Sequence, residues 1–167
     1  MNVFACHADP AVSATWLADQ HVVKMVTETA QILSTALAAN GRQVAGLYKP
    51  THAHHPCVLA AQVDPAYFGW TVLHGLALGA EYTARFGKTH GALGVIQAAL
   101  DAAGLDPAGV FQPSAFPLAM PDMCKRLDPH DAYCEYLRVK YAEWRERGGR
   151  VAPRWQRIVL GNPFVQT

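Results

Sequence analysis

The sequence contains four Asp-Pro dipeptides, a pair that is typical of the first residues of a helix. They lie at residues 9–10, 64–65, 106–107 and 128–129. Aspartate is a good N-cap because its side chain accepts hydrogen bonds from the first turn, and proline fits the first helical position because its missing N–H has no partner there. Glycine ends helices without strain, and stops of this kind follow at Asn40-Gly41, Gly87 and Gly148-Gly149. These signals predict helices near residues 10–17, 19–39, 65–86, 91–103 and 129–147.

Strand-like alternation of polar and apolar residues is nearly absent, so the expected fold class is all-α. The 167 residues are 51% hydrophobic, which is enough for one core, and no repeat or long linker divides them. We therefore expect a single compact helical domain over residues 1–167, with the Pro-bearing loops 42–63 and 104–127 packed over the bundle.

Composition excludes several classes of protein. Only 16% of the residues are charged, too few for an intrinsically disordered chain with this apolar content. No uninterrupted run of about 18 apolar residues predicts a membrane span. The N-terminus has no basic segment and reaches Asp9 early, so no secretory signal is expected. Four cysteines without a CxxC pair favour free thiols in the cytoplasm.

The net charge of +1 argues against a nucleic-acid partner when it is taken over the whole chain. The distribution of the charges along the chain favours such a partner instead. Residues 1–137 hold 7 basic and 11 acidic residues, a balance of −4, whereas residues 138–167 hold 7 basic and 2 acidic residues, a balance of +5. Trp144 and Trp155 lie among these bases. Bases with interleaved aromatics are typical of a surface that binds a phosphate backbone, although a terminal helix with solvated arginines has the same composition.

One face of the helix predicted over residues 19–39 carries varied polar side chains. At 100° per residue, one side of this helix is apolar and would face the core: Val22, Val26, Ala30, Leu33 and Leu37. The opposite side holds His21, Lys24, Glu28, Gln31 and Thr35. An ordinary solvated surface fits this pattern, because Lys24 and Glu28 have the spacing of an i,i+4 ion pair. The chemical variety on one rigid element instead favours a candidate site, and both interpretations stay open here.

A proline-flanked loop over residues 48–57 contains His52, His54, His55 and Cys57. Such a group suggests zinc, but its spacing matches no structural zinc pattern. We favour residues that line a pocket or contact phosphate, and we expect neither a metal nor a cofactor. Arg85, Lys88 and His90 lie at the end of the helix predicted over residues 65–86, where cations complement the helix dipole.

Several short stretches together resemble one known family. Leu17-Ala18-Asp19-Gln20-His21 opens the long helix, and Glu28 follows seven residues after the histidine. The later stretches are Ala39-Asn40-Gly41-Arg42-Gln43-Val44, Pro50-Thr51, Pro129-His130-Asp131-Ala132 and Pro153-Arg154-Trp155. In this order, from about residue 17 to 157, they resemble the phage pyrimidine-dimer DNA glycosylases of the endonuclease V type. That family nicks DNA at ultraviolet-induced dimers and is a compact all-helical domain.

The resemblance implies a DNA-repair glycosylase, with or without AP-lyase activity, that cleaves the N-glycosidic bond of a damaged or modified pyrimidine. Glu28 matches the family's catalytic glutamate, which stabilises charge on the sugar. The family's nucleophile is its N-terminal amine, which forms a Schiff base at C1′. Here Asn2 favours retention of Met1, and the segment before the long helix is several residues longer. The nucleophile is therefore the amine of Met1 or, where that does not reach, Lys24. With His21, these are the expected catalytic residues.

The expected partner is double-stranded DNA with a damaged or modified pyrimidine, bound by a monomer in a bacterial or phage-infected host cell. The expected DNA-binding residues are Arg42, His52, His54, Arg138, Lys140, Arg154 and Trp155. Because the target bond is hidden in a stacked duplex, such an enzyme opens the helix with aromatic or apolar wedges. Candidate wedges are Tyr48, Trp144, Trp155 and the loop 116–121, and core packing is the alternative for each.

Three other functions remain as alternatives. The first is a transferase that edits or installs modifications on DNA thymines with the same scaffold. The second is a non-catalytic DNA-binding module that uses only the basic C-terminal segment and binds without regard to lesions. The third is a metal hydrolase built on His52, His54 and His55.

Overall fold

The computed structural model describes residues 1–165. Within this range it contains six α-helices, two short 3₁₀ turns and no strand. The helices are α1 (Pro10–Trp16), α2 (Asp19–Ala39), α3 (Pro56–Val63), α4 (Pro65–Phe86), α5 (Leu93–Ala103) and α6 (Pro129–Arg147), and the 3₁₀ turns are Asp122–Cys124 and Gly149–Val151. The all-α prediction is confirmed. No helix in the described range is long and apolar enough to cross a membrane.

The Asp-Pro signals act as predicted at three of their four sites. The capping side chain accepts two main-chain hydrogen bonds at the start of α1, α4 and α6, from Asp9, Asp64 and Asp128 respectively. At the fourth site, Asp106 accepts a hydrogen bond from the N–H of Ala108 at 2.9 Å and closes only a turn. Capping is thus local chemistry that permits a helix, and packing decides whether the helix forms.

The prediction that residues 42–63 form a loop is wrong at their C-terminal end, because α3 occupies Pro56–Val63. Its cap is His55, whose Nδ1 atom accepts a hydrogen bond from the N–H of Cys57 at 3.2 Å. Histidine is not among the usual N-cap residues, so the start of this helix carries no ordinary sequence signal. Burial of Cys57, Val58 and Ala61 holds the helix against its neighbours.

Helix α2 lies at the centre of the fold and packs against α3, α4 and α5. Its predicted apolar side is confirmed, because all five of its members are buried: Val22, Val26, Ala30, Leu33 and Leu37. The interpretation of its polar side as an ordinary solvated surface is wrong. His21, Glu28 and Thr35 are 3%, 9% and 1% exposed.

Two segments cover that polar side. The N-terminal segment, residues 1–6, lies between α2 and α6, where the ring of Phe4 is 4.6 Å from that of His21 and the imidazole of His130 bonds the carbonyl of Ala5 at 2.7 Å. The loop over residues 48–55 follows the next turns of α2, because Thr51 and Thr35 exchange two hydrogen bonds of 3.0 and 3.1 Å. Most of the polar face of α2 is therefore covered, whereas the side chain of Lys24 stays 66% exposed.

The start of α2 is held by a buried ion network centred on Arg85. Its guanidinium contacts Asp19 at 3.1 Å and Glu81 at 3.0 Å, and it donates to the carbonyl of Leu17 at 2.7 Å. The side chain of Arg85 is 0% exposed. The interpretation of Arg85 as a cation that merely complements the dipole of α4 is therefore wrong: it joins the end of α4 to the first turn of α2.

Candidate active site

The carboxylate of Glu28 is the centre of the site, because both candidate amines lie beside it. The Nζ atom of Lys24, one turn earlier on α2, is 3.1 Å from Oε1. The N-terminal amine of Met1 is 3.8 Å from Oε2, which also accepts a hydrogen bond from the main-chain N–H of Asn2 at 2.9 Å. Three nitrogen atoms thus converge on one buried acid.

Asn2 fixes the chain end in this position. Its side-chain Nδ2 donates to the carbonyl of Ala119 at 2.9 Å, and its Oδ1 accepts from the hydroxyl of Tyr133 at 3.2 Å and from the N–H of Val3 at 2.7 Å. The extra length before α2 therefore does not keep the amine from the site. Residues 7–18, which include α1, take up that length.

The two amines differ in their surroundings. The side chain of Lys24 is 66% exposed. The side chain of Met1 is 3% exposed, yet the residue as a whole is only half-buried, so its accessible surface belongs mainly to the main chain that carries the amine. Both residues line a cavity of about 190 Å³ with Glu28 in its wall. At about 30 Å³ for each water molecule, this volume holds roughly six waters, which is the scale of one sugar-sized group.

His21 forms part of the cavity wall as a neutral imidazole. Burial, with smaller effects from the cations Lys140 and Lys24, lowers the pKa of His21 to about 3. Its Nδ1 is 2.8 Å from the hydroxyl oxygen of Tyr141, and that oxygen accepts the N–H of Ala18 at 3.0 Å. The hydroxyl of Tyr141 therefore joins the imidazole of His21 to the start of α2.

The cationic side of the cavity comes from α6. The ammonium of Lys140 lies 5.5 Å from the ring centre of Tyr136 and 5.7 Å from that of Trp144, as in a cation–π contact. The ring of Trp144 in turn packs against His21 at 4.8 Å. Trp144 is therefore a packing residue of the site rather than a free wedge.

The histidine loop forms another border of the site. His52 has a left-handed φ of 52°, and its Nδ1 is 2.8 Å from the hydroxyl of Thr51. His52 and His54 are exposed. Burial, the positive Met1 amine and His52 together lower the pKa of His55. In the described residues no three His, Cys, Asp or Glu side chains converge as metal ligands would, so the metal-hydrolase alternative has no support from the geometry.

The other expected DNA-binding residues lie apart from this cavity. Arg42 donates to the carbonyl of Ala102 at 3.2 Å, and it follows the end of α2 at Ala39, which is 11 residues or roughly 17 Å along the helix from Glu28. Arg138 lies 3.5 Å from Glu135 on the exposed face of α6. Arg154 is exposed, and its carbonyl accepts the N–H of Asp19 at 2.7 Å.

Trp155 is half-buried and is an anchor of the C-terminal segment. Its indole N–H donates to the carbonyl of Trp16 at 3.0 Å, and its ring packs on Tyr141 at 5.3 Å. The remaining candidate wedges differ in their exposure. Tyr48 is 37% exposed, whereas Phe116, in the loop 116–121, packs against Trp70 at 5.0 Å.

The structure thus brings together Met1, His21, Lys24, Glu28 and Lys140. Sequence reasoning missed Tyr136 and Ala119 as parts of the cavity. Tyr136 had a usable signal, because it lies four residues before Lys140 and so shares one face of α6 with it. Ala119 lies in the loop 116–121 that was expected to contact DNA, but nothing in the sequence placed this loop at the cavity.

Comparison with known proteins gives one result. A family model described as pyrimidine dimer DNA glycosylase matches residues 1–93, more than half of the 167-residue chain. The matched range includes the N-terminal amine, the whole of α2 and the histidine loop. No curated protein and no solved structure matches the chain.

Proposed function

Because this chain belongs to the pyrimidine dimer DNA glycosylase family, we propose that it excises a pyrimidine of a dimer in duplex DNA by means of Glu28 and an amine nucleophile. The resemblance seen in the sequence is confirmed by the family match. The observation that carries the proposal is the buried carboxylate of Glu28, with the Met1 amine at 3.8 Å and the Lys24 amine at 3.1 Å.

The proposed reaction needs a base and an unprotonated amine at one place. Glu28 accepts a proton from the ammonium group, and the free amine then bonds to C1′ of the deoxyribose. The bond from C1′ to the pyrimidine nitrogen breaks, and its electrons leave with the base, which takes up a proton. The C1′–O4′ bond then breaks, O4′ takes up a proton and the nitrogen loses one, which leaves an imine between C1′ and the amine. Loss of a proton from C2′ then breaks the bond from C3′ to oxygen and expels the 3′-phosphate. The last step is the lyase activity.

The Met1 amine is our candidate nucleophile. An α-amino group is in general about two pK units less basic than a lysine amine, so a larger fraction is unprotonated at neutral pH. Both residues line the same cavity, but the side chain of Lys24 is 66% exposed. If Met1 were removed in the cell, the nitrogen of Asn2, 2.9 Å from Glu28, would become the amine. In either case the end of the chain supplies the nucleophile.

Borohydride trapping tests this proposal. The substrates are one duplex with a single cyclobutane thymine dimer and one with an abasic site, and peptide mapping locates the trapped residue. We expect an adduct on the first residue. The adduct should disappear after acetylation of the N-terminus and persist in Lys24→Gln. If trapping survives acetylation but is lost in Lys24→Gln, Lys24 is the nucleophile.

Glu28→Gln tests the carboxylate, with Glu143→Gln as the matched control on the exposed part of α6. Loss of a catalytic acid-base group typically costs about 10²–10⁴-fold in rate. We expect Glu28→Gln to lose turnover by at least about 100-fold and to bind the duplex as before. Full activity in Glu28→Gln would overturn the proposal. Base release without a trapped adduct or strand cleavage would point instead to the transferase alternative, which mass spectrometry of the treated DNA identifies.

A further inference from the structure

The C-terminal segment carries an apolar side chain at the tip of a closed turn. The N–H of Asn162 donates to the carbonyl of Val159 at 3.3 Å. Gly161, at the third position of this turn, has a φ of 82°, the value that a type II turn requires and that glycine adopts without strain. Leu160, at the second position, is 99% exposed, and Ile158 beside the turn is 55% exposed.

The chain before the turn is fixed to the helical core. The N–H of Gln156 donates to the carboxylate of Asp19 at 3.1 Å, and the guanidinium of Arg157 is 2.6 Å from Glu81. Trp155 adds its hydrogen bond to Trp16. These bonds attach the segment to the first turn of α2 and to α4.

The chain after the turn is fixed as well. The side chain of Asn162 donates to the carbonyl of Trp16 at 3.2 Å. Phe164 is 6% exposed, and its carbonyl accepts a hydrogen bond from Arg145 at 3.1 Å. Because both flanks are held, the turn cannot fold back to bury Leu160. A large apolar side chain is thus presented to solvent on a rigid support.

The charge around the turn identifies the kind of surface that it meets. From residue 147 to residue 167 the chain has four arginines and no acidic residue. Arg157 pairs with Glu81, and the other three are exposed: Arg147, Arg150 and Arg154. Apolar wedges flanked by cations fit a nucleic-acid duplex, since the cations contact phosphates while the wedge enters between bases. A basic surface of this kind does not favour a protein partner that is cationic or lacks acidic residues.

We propose that Leu160, supported by Ile158, is a wedge that enters the base stack of duplex DNA a few base steps from the target nucleotide. This proposal rests on the proposed function, because it takes DNA as the substrate. The segment is bonded to Asp19, nine residues before Glu28, which is roughly 14 Å along α2. At 3.4 Å per base along a strand, this distance is about four base steps. Trp155 is engaged in packing and supports the turn.

The test compares Leu160→Ser with Val110→Ser, a matched change at an apolar side chain that is 86% exposed on the loop after α5. Single-turnover cleavage is measured on a cyclobutane thymine dimer in a duplex and in a single strand. A wedge is needed only where the bases are stacked. We expect Leu160→Ser to be at least about tenfold slower on the duplex and within about twofold of the parent on the single strand. Val110→Ser and Leu160→Met should resemble the parent on both substrates.

Equal rates for Leu160→Ser and the parent on the duplex would overturn the proposal, and so would an equal loss on both substrates. A second readout separates this proposal from the function on which it rests. The fluorescence of 2-aminopurine placed about four bases from the dimer rises when that base unstacks. If the parent cleaves no substrate, the proposed function fails. The wedge proposal then stands if duplex binding raises the fluorescence with the parent but not with Leu160→Ser, and it falls if the two proteins give the same signal.

Discussion

Replacement of Arg85 by methionine tests whether the buried ion network holds the start of α2. Methionine fills most of the space of the arginine stem but leaves the carboxylates of Asp19 and Glu81 buried without their central cation. Loss of one partner from a buried ion pair costs about 3–5 kcal/mol, because the remaining charge stays desolvated. The carbonyls of Leu17 and Thr15 also lose their donors, at 2.7 and 3.0 Å.

The expected change in melting temperature follows from the size of the chain. The entropy of unfolding is about 2.1 cal/mol/K per residue near the melting point, or about 0.35 kcal/mol/K for this chain. A loss of about 3–5 kcal/mol therefore lowers the melting temperature by roughly 9–14 °C. Thermal unfolding followed by circular dichroism measures this shift, and urea unfolding checks the free energy.

Arg157→Met is the matched control. It removes a cation that is 2.6 Å from the same Glu81 but whose side chain is 52% exposed. Exposed pairs contribute about 0.2–1 kcal/mol, so we expect a decrease of less than about 3 °C. A melting temperature of Arg85→Met within 3 °C of the parent, or equal decreases in the two variants, would refute the reasoning that burial decides the strength of this network.

Two further predictions concern the cavity. Asn2→Leu, a change to a residue too large to promote removal of Met1, deletes the hydrogen bonds to Ala119 and Tyr133. The groups left unpaired cost about 1–3 kcal/mol, so we expect single-turnover trapping to slow by about tenfold with unchanged DNA affinity. An unchanged rate would contradict the role of Asn2 in holding the chain end. His21 has a folded pKa of about 3 against an unfolded value of 6.5, so the unfolded state binds more protons below pH 6.5 and stability declines as the pH falls through this window. At pH 5 the penalty is about 2 kcal/mol, and His21→Asn should lose about that much less stability between pH 7 and pH 5 in urea unfolding; an identical pH dependence would contradict the burial of a neutral imidazole.

The starts of α1, α4 and α6 and the composition of the α2 polar face were predictable because both depend on neighbours along the chain. A capping aspartate acts within three residues, and the 3.6-residue period places Lys24 and Glu28 on one face wherever the helix lies. The burial of that face was not predictable. It depends on the N-terminal segment, which reaches Glu28 across 26 positions of sequence.

The errors have the same origin. Arg85 has a sufficient local explanation in the dipole of α4, and its contact with Asp19, 66 residues away, leaves no local signal. The approach of Trp155 to DNA stays a prediction, but nothing in the sequence indicated that its indole is bonded to Trp16, 139 residues away. In both cases one local pattern is compatible with two environments, and only long-range packing selects between them.

The presence of two amines on one carboxylate bears on how a buried Glu28 can act as a base. A buried carboxylate needs a compensating positive charge, or its ionised form becomes costly. In the proposed reaction Glu28 is neutral once it has taken the Met1 proton, so it needs a compensating charge only while it is ionised, before that transfer and after it has given the proton up. Lys24, 3.1 Å from Oε1 and in contact with solvent, lies beside the carboxylate at both stages. In that reaction the two amines would therefore have separate tasks: the chain end reacts, and the lysine compensates the acid whenever it is ionised.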